Sequence, residues 1–147
     1  MNSEVVARID HVVPDTLGTL LRTRDVRVID DGAAMSSDWC VVGVEIFGDV
    51  ALEMTLAMPS VTARRLTSEL LWNDAVDVSP ADVVDAASEL LSIVACRCRA
   101  VSDLDTWMSI PSARLTSHLE SSTAAVQRWF SWGHDLFCFS TRVLAPC

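Results

Sequence analysis

Apolar positions change their spacing several times along the chain, and each change marks an element. Over residues 3–22, Val5, Ile9, Val12 and Val13 fall on one helical face, and Leu17, Leu20 and Leu21 continue it. That spacing predicts a helix. Pro14 lies inside it and is expected to break or kink it, because proline brings no backbone donor and crowds the preceding turn. Residues 26–30 (VRVID) have the pattern of a short strand that stops at Asp30-Asp31-Gly32. Trp39 to Phe47 is dense in Val and Ile, and Gly48-Asp49 supplies a turn. Val50 to Met58 then alternates, with Leu52, Met54, Leu56 and Met58 on one side and Glu53 and Thr55 on the other. The expectation is an antiparallel hairpin with one face on a core.

Two helices follow. The first starts at Pro59-Ser60 and runs to about Trp72, with Val61, Leu66 and Leu70 facing inward. The second is the best-marked element of the chain. Ser79 suits the cap, Pro80 the first helical position, and Asp82 the third position of a capping box. It continues to about Ala100, with Val83, Ala87, Leu90 and Val94 as its buried stripe, widened by Val84 and Leu91. Residues 107–115, 124–132 and 136–144 have strand character, and Gly133-His134-Asp135 is a turn between the last two. Strands, then helices, then strands predict an α+β fold. It has an antiparallel or mixed sheet of about six strands, with a long helix and two shorter ones packed on it. Residues 1–147 carry no repeat or linker and read as a single domain.

Half of the 147 residues are apolar, which suffices for a core without disulfides or metal. The net charge is −9, and all eleven basic residues are Arg. Their local groups are small, such as Arg22/Arg24/Arg27 and Arg64/Arg65. Nucleic-acid binding, which needs clustered cations to neutralise phosphates, is not expected. An acidic surface suits a partner that is basic where it docks. Five cysteines, an odd number, and no apolar leader in MNSEVVARID point to a reducing compartment. No run approaches the roughly 18 apolar residues of a membrane helix. The expected setting is the cytoplasm, away from the membrane.

Candidate chemistry lies on the outer side of the long helix. Asp82, Asp85, Glu89, Ser92 and Cys96 follow at spacings of three, four, three and four, which places them on one face. Periodicity alone describes this as a solvated helix face, acidic at the end where the helix dipole favours negative charge. The segment from Asp82 to Ala100, DVVDAASELLSIVACRCRA, resembles the signature helix of the CheX/CheC/FliY chemotaxis phosphatases. Their pattern is D-x-x-x-E-x-x-N-x-x-x-G, followed by a proline-containing strand. Asp85, Glu89 and Ile93 sit at matching places, and Ser109-Ile110-Pro111 fits the proline strand. The hairpin and short helix over residues 39–72, and the first helix with its internal proline, follow the same order. The resemblance covers roughly residues 5–144.

The resemblance implies docking on a phosphorylated response-regulator receiver such as CheY and hydrolysis of its aspartyl phosphate. Glu89 would reach the partner's lysine, and the residue three positions on would orient the attacking water. In the family that residue is an Asn, whose amide offers donor and acceptor in one plane. Here it is Ser92, shorter and freely rotating, and the family glycine one turn on is Cys96. Loss of one positioned hydrogen bond costs roughly tenfold to a thousandfold in rate. The implied catalytic residues are Glu89 and Ser92; Asp82, Asp85, Glu89, Ser92 and Cys96 are the implied partner-binding face. The alternatives are a non-catalytic adaptor with the same fold and a structural assembly module using an exposed aromatic at Trp129 or Trp132.

No cofactor or metal is expected. Cys96 and Cys98 point about 200° apart on a helix and cannot share an ion. A Ser-His-Asp triad built on the adjacent His134 and Asp135 lacks a nucleophile elbow. Most of the five Trp residues are expected in the core, with at least one of Trp129 and Trp132 exposed. Such an aromatic would suit a homodimer contact. The resemblance places that contact at a sheet edge.

Overall fold

The structure is a computed structural model. It describes residues 2–23, 25–30, 38–48, 51–71, 77–100, 107–117, 119 and 126–144. The sequence expectations for Asp31-Gly32, Asp49, Val50, Trp72, His118 and Cys147, and for the start of the strand at 124–125, lie outside these residues. The elements are α1 (Asn2–Leu21), β1 (Val26–Ile29), β2 (Trp39–Phe47), β3 (Leu52–Pro59), α2 (Ser60–Leu71) and α3 (Pro80–Ala100). Four strands complete the fold: β4 (Trp107–Met108), β5 (Ser112–Thr116), β6 (Val126–Trp132) and β7 (Asp135–Val143). All strand pairs are antiparallel, in the order β1-β6-β7-β3-β2-β4, with β5 also on β2. This is the expected α+β architecture with seven strands in place of six.

The extra strand comes from one interruption. Residues 107–115 were expected as one strand, but only Trp107–Met108 and Ser112–Thr116 pair with β2. Pro111 lies between them and has no N–H to give to a ladder. Ser109 bridges the gap: its N–H donates to the Glu45 carbonyl at 2.9 Å, and its Oγ accepts from the Glu45 N–H at 2.9 Å.

All three helices lie on one face of the sheet. Residues at even positions of β2 and β3 (Cys40, Val42, Val44, Ile46, Met54, Leu56, Met58) enter the main core with Ile9, Val13 and Leu17 of α1 and Leu66 of α2. Phe130, Phe137 and Phe139 pack there on one another at ring separations of 5.5–6.1 Å. A smaller cluster lies on the helix-free face: Trp39, Val41, Ala57, Trp129 and Cys138, with Ile29 and Leu119 against it. Trp39 and Trp129 meet edge to face at 6.4 Å.

That second cluster corrects the expectation for Trp129 and Trp132. Three residues apart on a strand they face opposite ways. Both sides of the sheet are apolar there, so both are buried. Among the described residues the exposed aromatic is Trp107, stacked on Phe47 at 4.2 Å.

Two helix expectations also change. The first helix has close to its expected span and runs through Pro14 without a break. It ends at Leu21 in a Schellman arrangement, with Arg22 left-handed (φ 52°) and the Thr23 N–H on the Gly18 carbonyl at 3.1 Å. On α2 the buried side is Thr62, Ala63, Leu66 and Thr67, whereas Val61 is 73% exposed rather than inward. The two threonines are buried because their hydroxyls are satisfied. Thr67 donates to the Ala63 carbonyl at 2.7 Å, and Thr62 donates to Asp135 at 3.0 Å. Arg65, one turn on from Thr62, pairs with the same Asp135 and lies 3.9 Å over the Trp132 ring. This ties α2 to the turn between β6 and β7, where Gly133 takes the positive φ (58°) that a tight hairpin turn requires.

Candidate functional site

Helix α3 is fixed at its start by the expected capping box. The Asp82 N–H donates to Ser79 Oγ at 3.1 Å, and the Ser79 N–H donates to Asp82 Oδ2 at 3.0 Å. Its inner face buries Val83, Ala87, Leu90, Leu91, Val94, Ala95 and Cys98. Towards its end, Arg97 donates to Asp15 at 2.6 Å and to Thr16 at 2.5 Å, both on α1. The helix is therefore held at its cap, along one side and near its last turns. What remains is a rigid outer face.

That face carries the residues the spacing brought together. Asp85, Glu89 and Cys96 are exposed, and Ser92 is half-buried between them. Among the described residues, no side-chain hydrogen bond or ion pair engages Asp85, Glu89 or Ser92. Asp82 differs: it belongs to the same face, but its carboxylate is occupied by the cap. The arrangement offers two free carboxylates and a hydroxyl within three helical turns, on a surface that a partner can approach.

The cysteines divide by environment. Cys96 is exposed and Cys98 buried, so the pair cannot share a metal. Burial pushes the Cys98 thiol up to about 11, against the opposing charges of Arg8 and Arg97. Burial likewise pushes Cys138 up to about 12 and raises Cys40. These three are neutral packing groups at ordinary pH. Among the described residues no cluster of His, Cys, Asp and Glu could hold a metal ion. No helix there is long and apolar enough to cross a membrane.

The chain resembles solved structures over almost its whole length. A chain of the CheX–CheY–BeF3–Mg2+ complex from Borrelia burgdorferi superposes with a TM-score of 0.75 and 13% identity, covering 95% of this chain and 97% of that one. The fold is that of the CheX-like chemotaxis proteins. CheX from Vibrio vulnificus matches with a TM-score of 0.72 and 15% identity (96% and 99% covered). FliY from Thermotoga maritima matches with 0.63 and 10% (90% and 83% covered). No family model matches the sequence, and no curated protein does.

Set on the CheX fold, α3 is the helix whose outer side carries Glu89 and Ser92. Two features of the site were not anticipated from sequence. The Arg97 clamp joins residues 81 and 82 positions apart, and nothing local signals such a pairing. The double use of Asp82 could have been found, because the capping-box pattern and the acidic stripe both named it.

Proposed function

We propose that this chain docks on a phosphorylated response-regulator receiver through the outer face of α3, and that it hydrolyses the receiver's aspartyl phosphate only weakly. The observation that carries the reading is the Asp85–Glu89–Ser92 stripe, which engages no described side chain, on a helix held at its cap, along its inner face and near its last turns. It is supported by likeness to a structure in which CheX and CheY are crystallised together. Glu89 would pair with a receiver lysine and Ser92 would hold the attacking water. Asp85 and Cys96 would flank the contact, and Asp82 would lie at its rim. The step needs positioning and charge balance rather than a covalent nucleophile. Ser92 is a short, rotating hydroxyl at the water-holding place, so turnover is slow.

The test follows phosphate loss from a phosphorylated receiver with wild type, Glu89→Ala and Ser92→Asn. The expected result is receiver binding by wild type, lost in Glu89→Ala, with slow hydrolysis that Ser92→Asn raises roughly tenfold to a thousandfold. Failure to bind any receiver would overturn the reading. Ser92 itself favours a second reading, a docking adaptor without turnover. Binding with no hydrolysis by wild type would select it. The assembly alternative loses its motive, because Trp129 and Trp132 are both buried.

In the same reading the protein works in the cytoplasm, in keeping with the free thiols of Cys40, Cys96, Cys98 and Cys138. A homodimer contact belongs at the β4 end of the sheet, where Trp107 is 62% and Ile110 91% exposed. Ile110→Asp would then yield a monomer in sedimentation. An unchanged sedimentation coefficient would remove this contact.

A further inference from the structure

The helix layer stops one strand short of the sheet's edge. Ala113 and Leu115 of β5 are the register partners of Val42 and Cys40, so they stand on the helix side of the sheet. Val42 and Cys40 are fully buried in the main core. Ala113 and Leu115 are exposed, Leu115 by 61%. They floor an apolar shelf beside α3. Near the start of the helix the shelf deepens into a cavity of about 410 Å³, where Val78, Pro80 and Val83 join Leu115 in the lining. The shelf borders the docking stripe. Helix α1 contacts β1 and β6, α3 contacts β2, β3 and β5, and the sheet order sets β1 and β5 at opposite edges. Helix α3 therefore has α1 on one flank and the shelf on the other. Arg97 faces α1, bonded to Asp15 and Thr16. Ser92, five residues earlier, points about 140° away from it, on the shelf side of the outer face.

The stripe alone is too small for a specific contact. From Asp82 to Ser92 the helix rises about 15 Å and is roughly 10 Å wide, which gives about 150 Å² of surface. Specific interfaces cover about 800 Å² on each partner. A docked receiver must therefore spread onto a flank of α3. The α1 flank presents the ion pair of Arg97 and Asp15. The β5 flank presents Ala113 and Leu115, and the centres of interfaces are depleted of charge. We propose that the receiver seats an apolar side chain on this shelf, over Ala113 and Leu115, and that Leu115 thereby selects among receivers. The contact rests on receiver docking through α3 and adds its apolar half. Glu89 meets a receiver lysine, and the shelf holds the receiver's apolar surface beside it.

The test measures the affinity of a phosphorylated receiver for wild type, Leu115→Ser and Leu115→Met, at low and at high salt, with sedimentation of each variant alone. Both variants replace an exposed side chain, so their melting temperatures should stay near wild type. Leu115→Ser should weaken binding at least roughly fivefold, as loss of a side chain buried in an interface does. Leu115→Met keeps the apolar bulk and should bind like wild type. The fold-loss in Leu115→Ser should be the same at both salt concentrations, since no charge is removed. Sedimentation of Leu115→Ser should match wild type. Receiver binding that is indifferent to Leu115→Ser overturns the shelf contact and leaves docking through α3 standing. Changed sedimentation with unchanged receiver affinity gives the shelf to a second copy of the chain and overturns the contact too. If wild type binds no receiver, docking through α3 fails and the shelf contact falls with it.

Discussion

The two sides of α3 are made under different rules. On its inner side Leu90 and Leu91 are fully enclosed between the sheet and the other helices, and every atom there has a packing duty. On its outer side Asp85 and Glu89 touch no described side chain through a hydrogen bond or ion pair. The inner side explains why the helix exists; it does not explain why these residues stand on the outer one. A stripe with no structural task on a helix fixed at its cap and near its end is where a reason outside the chain is to be sought. Variants on adjacent positions can separate the two sides.

The largest difference is expected between neighbours. Leu90→Ala should cost about 2–5 kcal/mol, the transfer loss plus the cavity it leaves. Glu89→Ala should stay within about 0.5 kcal/mol, as exposed substitutions away from caps do. Denaturant melts measure both. Receiver binding should invert the order: Glu89→Ala loses it while Leu90→Ala keeps it wherever the chain remains folded. If Glu89→Ala destabilises by as much as Leu90→Ala, the outer side has a structural duty and the contrast fails.

The contrast between faces also holds within the sheet, and pH tests it. Cys138 lies in the cluster on the helix-free face and Cys98 in the main core, both with thiols raised by burial above the ordinary value of 9.0. The unfolded chain releases these protons near that ordinary value. The folded chain holds them up to about 11 for Cys98 and about 12 for Cys138. Above the lower value the unfolded state binds fewer protons, so stability falls as pH rises. The contribution is complete below pH 9.0 and is lost progressively up to about 12. Cys138→Ala should therefore flatten the alkaline fall in melting temperature.

The cap of α3 comes next in size. Ser79→Ala removes the acceptor of the Asp82 N–H and should cost about 1 kcal/mol. The backbone N–H of residue 79 remains and still donates to the Asp82 carboxylate, so the companion variant Asp82→Ala is the one that removes that carboxylate. If Asp82 served only the helix, receiver affinity should stay constant in Asp82→Ala once its lower stability is allowed for. A change in affinity would show that Asp82 takes part in the contact at the rim.

How far the sequence could be read follows the same division. Alternation in β3, the cap of α3 and the spacing of its two stripes are local patterns set by the geometry of one element, and they held. The expectations that changed depended on distant partners. Residues 107–115 became two strands, interrupted beside Pro111 and bridged there by the contact of Ser109 with Glu45, 64 positions away. Trp129 and Trp132 were both buried because a second apolar cluster covers the face that was expected to be open. Of the candidate site, the common face of Asp85, Glu89, Ser92 and Cys96 was legible in the spacing. The clamp of Arg97 on α1 was not, since only folding brings Asp15 near.

Val61 gives the smallest effect and a sharp one. Its expected inward position came from counting an apolar residue into a stripe at the helix start. The stripe in fact runs through Thr62, Ala63, Leu66 and Thr67, one position round the helix, and leaves Val61 in solvent. The two threonines enter the interior because Asp135 and the Ala63 carbonyl take up their hydroxyls. Val61→Ala removes little buried surface. It also replaces a β-branched residue, which loses side-chain freedom in a helix, by the best helix former. The change should be neutral to slightly stabilising, within about 0.5 kcal/mol. Thr62→Val, one position on, should destabilise instead, because it strips Asp135 of a donor in a half-buried place. If Val61→Ala proved the costlier of the two in denaturant melts, Val61 would face inward after all, and α2 would be rotated by one residue from the position its threonines define.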